Sequence, residues 1–201
     1  MKYNTHDWKG FLINDLISDL NYKSYLELGV SVGESWKLIS CENKIGVDNN
    51  INVANEFVGV VHSTTDDYFL NNKDKFDLIY IDALHEKNQV YKDFKNSFDA
   101  LNDSGVIIFH DINPFDISQT YFNSSGDVFE LWIELSKTYK VYTMIIELGE
   151  SFDSVGIFIK SENHKFIDIE VKDYTYQFFS ENRDKFISYL NYEEIINKIK
   201  L

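Results

Sequence analysis

The sequence predicts an α/β fold built on a doubly wound, mostly parallel sheet. Three observations predict it. Short apolar runs alternate with segments of helical periodicity along most of the 201 residues. Two of those runs, FDLIYID and SGVIIFHD, are almost continuously apolar, as strands buried on both faces are. The last two runs, YKVYTMIIEL and SVGIFIK, have no helical segment between them, so they predict an antiparallel hairpin at the end of the sheet.

Leu12, Ile13, Leu16, Ile17 and Leu20 recur at helical spacing and predict a leading helix. YLELGV is next, as the first strand, and residues 33–39 open a helix. KIGVD is the second strand, EFVGVVH the third and FDLIYID the fourth. Val90, Tyr91, Phe94, Phe98 and Leu101 mark an amphipathic helix, and a turn at residues 103–105 leads into SGVIIFHD, the fifth strand. The single proline, Pro114, comes directly after it. A helix is expected over 127–136, a turn over 149–154 and further helix over 181–201. Residues 1–160 thus read as the main domain and 161–201 as a short, partly helical extension, with no internal repeat or low-complexity linker between them.

The formal net charge of −14 opposes a nucleic-acid partner, since a phosphate backbone needs a basic patch. The densest basic stretch, Lys73 and Lys75, has Asp74 between them. Cys41 is the only cysteine, so no internal disulfide forms, which fits a reducing compartment. The opening MKYNTHDWKGF lacks the apolar run of a signal peptide, and no stretch reaches membrane-spanning length. The expectation is a cytoplasmic protein without a membrane partner.

Within LELGVSVGESW, the residues GVSVG fit G-x-S-x-G, the pattern that exposes a nucleophilic serine in hydrolases. They also fit a glycine-rich turn between a first strand and a first helix, where nucleotide-like cofactors are held. The hydrolase pattern needs an earlier strand to supply an oxyanion loop, and GVSVG comes after the first strong strand. The cofactor pattern has support downstream: Asp48 ends the second strand about 20 residues later, where a carboxylate can take two ribose hydroxyls. Ser31 stands where a dinucleotide fingerprint has its second glycine. That glycine lets the backbone approach a pyrophosphate, and S-adenosylmethionine (SAM) has none.

Asp82 and Asp111 end the fourth and fifth strands, and ligands in open α/β sheets lie beyond those carboxyl ends. Two converging carboxylates repel unless something neutralises them, which a hard divalent cation such as Mg²⁺ does. Each also has a plainer role as a cap of the next segment.

LELGVSVGES, IGVDNN, FDLIYIDALH and GVIIFHDINP, in that order and spacing, resemble the class I SAM-dependent methyltransferases. More narrowly, they resemble the bacterial family-24-like group in which strand four ends in D-x-x-H and strand five in H-D followed by a proline. The resemblance covers roughly residues 24–160, and GDVFELWIEL is similar to the helix before the terminal strand pair. It implies a Rossmann-like domain that binds SAM through Glu27, Gly29, Ser31, Gly33, Asp48, Asn49, Thr64 and Asp82; residues 63–66 read either as lining the adenine or as a plain turn. From related metal-dependent O-methyltransferases it implies Asp82 and Asp111 as ligands of a divalent cation and His85 as the base. Some relatives have an acidic residue where His110 stands, or an amide where Ile112 stands; Asn113 is the nearest amide here.

The implied reaction is methyl transfer to a hydroxyl of a small molecule, with a sugar or glycan the first choice of acceptor. A homo-oligomer is left open. Two other classes remain: a nicotinamide-dependent oxidoreductase, and a non-catalytic SAM-fold binding module. His85 has a capping or packing role as its plainer reading, and His110 a structural one. Trp36 and Phe57 read as core, and Tyr174, Tyr176, Phe178 and Phe179 as packing of the extension, with an acceptor-site lid as the other reading.

Overall fold

The computed structural model describes residues 7–148 and 151–200. Seven strands form one sheet: β1 (Ser24–Leu28), β2 (Asn43–Asp48), β3 (Val60–His62), β4 (Phe76–Ile81), β5 (Leu101–Phe109), β6 (Val141–Leu148) and β7 (Ser151–Ile159). Their order is β3-β2-β1-β4-β5-β7-β6. The first five are parallel, whereas β7 runs antiparallel to β5, and β6 to β7. This is the Rossmann-like, mostly parallel sheet with a terminal hairpin that the sequence predicts. Strand order reverses between β1 and β4, so the crevice for a ligand opens above those two strands.

Alternation along the strands sends side chains into two cores. Leu78 and Tyr80 of β4 and Val106 and Ile108 of β5 face helix α1 (Trp8–Asp19), which buries Trp8, Leu12, Ile13 and Leu16. Ile79, Ile81, Ile107 and Phe109 face α4 (Lys87–Ala100) and α5 (Val128–Thr138). Two short helices, α2 (Ile51–Glu56) and α3 (Thr65–Asn71), flank β3.

Four local expectations change within residues 33–154. Residues 33–39 form successive turns rather than a helix. The carbonyls that would continue a helix are taken by side chains from elsewhere: Lys44 Nζ donates to the Trp36 and Ile39 carbonyls at 2.9 and 3.0 Å, and Asn14 Nδ2 to that of Leu38 at 2.7 Å. EFVGVVH supplies only the three residues of β3, because Glu56 ends a helix capped by Asn50 and Gly59 turns the chain at φ +87°. The turn at 103–105 is a bulge inside β5, where pairing with β4 jumps from Phe76↔Leu101 to Leu78↔Val106. Of the turn at 149–154, Gly149 and Glu150 lie outside the described residues, and β7 begins at Ser151.

The extension wraps the sheet. Its helices α6 (Tyr176–Glu181) and α7 (Arg183–Phe186) place Phe179 and Phe186 in the α4–α5 core. The chain then crosses the free edge of β6, where the Thr143 amide donates to the Ser188 carbonyl and the Leu190 amide to that of Thr143. Helix α8 (Tyr192–Ile199) finally buries Ile195 and Ile196 against the α1 core. The helix expected over 181–201 is therefore two helices with an extended crossing between them, imposed by β6 (Leu201 lies outside the described residues). The crossing also covers a sheet edge that would otherwise expose unpaired backbone groups.

Candidate active site

The loop after β1 is shaped by glycines and by Asp48. Gly29 sits at φ +88°, and a Cβ there would run into the Asp82 carbonyl, so only glycine lets this loop approach the end of β4. Ser31 holds φ +51°. The Val30 and Ser31 amides donate to Asp48 Oδ2 at 3.0 and 2.8 Å, and the Asn50 amide donates to Asp48 Oδ1 at 2.8 Å. Asp48 thereby ties the first loop to the second.

A cavity of about 430 Å³ opens beside these loops. It is lined by Gly29, Ser31, Asp48, Asn49, Thr64 and Asp82, together with Ser63, Thr65, Asp66, Leu84 and Gln89. Six of the eight residues expected to hold the cofactor thus share one cavity. Glu27 and Gly33 do not line it. Glu27 is 1% exposed and accepts hydrogen bonds from the Tyr25 hydroxyl at 2.8 Å and the Ser35 hydroxyl at 2.5 Å. Burial pushes its carboxyl up to about 7 despite those bonds. Gly33, at φ +73°, leaves room for the ring of Phe57. Trp36 is buried in the α1 core, as expected.

A polar cluster adjoins the cavity through Asp82. Asp82 Oδ2 accepts from Lys9 Nζ at 2.9 Å and from the Tyr80 hydroxyl at 3.0 Å, and Oδ1 lies 3.2 Å from His110 Nδ1 and 3.5 Å from His85 Nε2. Asp111 Oδ2 lies 2.8 Å from His110 Nδ1 and 3.2 Å from His85 Nε2, while Oδ1 accepts from the Ser125 hydroxyl at 2.8 Å. His110 Nε2 faces Asp153 Oδ2 at 3.3 Å. The other ring nitrogen of His85, Nδ1, is paired with the Ser124 carbonyl, which leaves Nε2 directed at the two carboxylates.

The electrostatics are set by that geometry. Burial works against charge on Asp82, but His110 and Lys9 outweigh it and hold the carboxyl well below the usual range. Burial also works against a charged His110, and Asp82 and Asp111 reverse the balance and hold its pKa well above the ordinary value. The bond to Asp82 raises that of His85, against the effect of burial.

One ligand atom from each of Asp82, His85 and Asp111 lies within 4.8 Å of the others, a donor set that fits a divalent cation. The two other positions considered do not add to it. Ile112 is apolar and fully buried, and Asn113 Oδ1 already accepts from Arg183 Nη1 at 2.8 Å. Lys9, Asp153 and Ser125 join the site although no motif marks them. They arrive from α1, β7 and the β5–α5 loop, and no local pattern in the sequence singles them out.

Residues 31–112 match a family profile described as a methyltransferase domain. The segment has the pattern of a methyltransferase. It contains most of the cavity-lining residues and both strand-end aspartates of the cluster. No curated protein matches the chain in sequence. Among solved structures, the chain is similar to the cofactor-bound protein Rv0187 from MTB, with 15% identity, 79% of this chain and 82% of that one covered, and a TM-score of 0.60. It is also similar to an O-methyltransferase from Bacillus cereus in complex with SAH (17%, 78% and 82%, TM-score 0.55). A third is the O-methyltransferase TomG from Streptomyces achromogenes in complex with SAM (12%, 76% and 79%, TM-score 0.55). At these identities the likeness is one of fold. Among the described residues no helix is long and apolar enough to cross a membrane.

Proposed function

We propose that this protein is a SAM-dependent O-methyltransferase that acts on a hydroxyl of a small molecule, with a sugar or glycan hydroxyl as the first acceptor class to test. The observation that carries the reading is the double position of Asp82. It lines the cavity on one side and joins His85, His110 and Asp111 on the other, so cofactor and base meet at one residue. Gly29, Ser31, Asp48, Asn49 and Thr64 would contact SAM with Asp82, while Glu27 and Gly33 would shape the loop from behind it.

SAM bound in the cavity would supply its sulfonium methyl group to the acceptor oxygen, a C–O bond replacing the S–C bond as S-adenosylhomocysteine (SAH) leaves, and the acceptor proton would pass to His85 Nε2. Asp82 and Asp111 stabilise the imidazolium that forms, and the Ser124 carbonyl keeps Nδ1 occupied so that Nε2 is the atom that accepts. Much of the rate comes from positioning the two reactants. Asp82 and Asp111 would hold a divalent cation such as Mg²⁺, which when bound lowers the pKa of the acceptor hydroxyl.

Support for a ring-shaped acceptor comes from exposed aromatic side chains after β5 and on β7. The rings of Phe115 and Phe152 lie 6.1 Å apart, and Tyr121 and Phe122 of the β5–α5 loop are exposed as well. We further take residues 1–160 as the SAM-binding domain, 161–201 as its extension, and the cytoplasm as the location.

The test has two stages. SAH and NAD are each titrated calorimetrically; tight NAD binding without SAH binding would overturn the reading in favour of an oxidoreductase. Labelled SAM is then screened against nucleotide sugars, glycans and catechols. Transfer to a hydroxyl that is lost in His85→Ala, with SAH affinity kept, supports the mechanism; transfer only to amines refutes it.

A further inference from the structure

The extension carries the chain's only arginine, Arg183, and that side chain reaches back to the segment just after Asp111. Its Nη1 donates to Asn113 Oδ1 at 2.8 Å and its Nη2 to the Pro114 carbonyl at 2.8 Å. The guanidinium also lies against the rings of Phe115 and Phe179, 5.3 and 5.0 Å from their centres. The Tyr176 hydroxyl, from the same extension, donates to the Phe115 carbonyl at 2.7 Å. A planar fork of donors set against two rings is a geometry that lysine does not reproduce.

The contacts continue into the site. Gln119 Oε1 accepts from the Phe115 and Asp116 amides at 2.6 and 3.2 Å, and the Gln119 carbonyl accepts from the Ser125 amide at 2.8 Å. The Ser125 hydroxyl then donates to Asp111 Oδ1, and the neighbouring Ser124 carbonyl holds His85 Nδ1. Gly126, at φ +58°, packs so closely on the His85 carbonyl that a Cβ would collide with it. Asp111 itself sits at φ +60°, a conformation that a residue other than glycine keeps only when its surroundings enforce it.

We propose that Arg183 is a positioning residue: it clamps the start of the β5–α5 loop and, through Gln119 and Ser125, fixes Asp111 and His85 in their shared orientation. The extension is then a strap that completes the site from outside the methyltransferase-like segment. The inference rests on the methyl-transfer reading only for what the oriented pair accomplishes. The clamp itself is geometric and is tested without an acceptor.

The test uses the full chain and four proteins: wild type, Arg183→Ala, Arg183→Lys and Gln119→Ala. Amide hydrogen exchange is measured at Ser124, Ser125 and Gly126, whose amides are bonded within the loop. Arg183→Ala is expected to raise exchange there roughly ten-fold or more while β1 and β4 stay protected. Arg183→Lys should restore little of that protection, and Gln119→Ala should open the same amides with the extension undisturbed. The His85 ring-nitrogen NMR signal, which reports the Nδ1 bond, should shift in all three variants. SAH affinity should stay within about two-fold, because no extension residue lines the cavity. Unchanged exchange at 124–126, an unchanged His85 signal, or equal loss of protection across every strand would overturn the clamp. If Arg183→Ala does not fold, Gln119→Ala and Arg183→Lys decide. Failure of SAH to bind any of the four proteins would remove the cofactor reading and leave the clamp standing.

Discussion

Glu27 offers a measurable consequence of burying an acid behind the loop after β1. Its carboxyl is 1% exposed, and burial lifts its pKa from the usual value near 4.5 to about 7. The folded protein therefore binds this proton more tightly than the unfolded chain does. Between those two pH values the native state holds more protons, so stability falls as pH rises, and above the folded pKa the penalty is complete. At 1.36 kcal/mol per unit, a shift of that size is worth about 3 kcal/mol. Glu27→Gln mimics the neutral acid: its amide oxygen still accepts from the Tyr25 hydroxyl, and the Ser35 hydroxyl can rotate to accept from the amide. Urea unfolding of both proteins, monitored by circular dichroism and extrapolated linearly to water, isolates this one group, because every other titration is common to both. Near pH 5 the two should agree to about 1 kcal/mol, and near pH 8 the glutamine protein should be more stable by about 3 kcal/mol. A difference that stays flat across that range would refute the reasoning.

Four other outcomes rest on the same geometry. Asp48→Ala removes the acceptor of three backbone amides and should weaken SAH binding roughly ten-fold or more by calorimetry; unchanged affinity would detach Asp48 from the cofactor. Ser31→Ala removes one proposed cofactor contact and should weaken SAH binding by less than about ten-fold, and a fluorophosphonate should leave Ser31 unlabelled, since the histidines of the site pair with Asp82 and Asp111 instead. Gly29→Ala should cost roughly 2–4 kcal/mol, read as a lowered thermal midpoint, because its Cβ meets the Asp82 carbonyl at a positive φ. Lys9→Met removes a cation 2.9 Å from Asp82 Oδ2 and should tighten Mg²⁺ binding roughly ten-fold or more in a calorimetric titration; weaker or unchanged binding would mean that Asp82 does not hold the ion.

Much of the sheet was legible because strand character is local. Ile79 and Ile81 face one core and Leu78 and Tyr80 the other, and that alternation is written in FDLIYID itself. Asp82 and Asp111 were legible for the same reason: a strand that ends in an acid in a parallel sheet delivers it to a known edge. The features that stayed hidden depend on side-chain contacts that no local pattern encodes. Residues 33–39 carry a helical spacing of buried side chains, yet Lys44 and Asn14 capture their carbonyls, and neither residue belongs to the periodic pattern that suggests a helix. Glu27 reads as a cofactor contact until Ser35 folds back to cover it. The extended crossing at the edge of β6 exists only because that edge is free to accept it.

The site shows the same division, and its charge explains why distant segments take part. Asp82 and Asp111 converge from adjacent strands, and Asp153 adds a third carboxylate from β7. Such a group is costly to bury unless cations meet it. Within the cluster Lys9 from the leading helix meets it, together with the ring nitrogens of His110 between the strand ends and of His85 after β4. His110 stands beside Asp111 at the end of β5, and with it the cluster gains a donor to both carboxylates. A cation that enters must therefore compete with Lys9 and His110 for the same oxygens. Any Mg²⁺ bound at this site would thus depend on Lys9, from a helix that no metal-ligand pattern in the sequence singles out, as well as on His110.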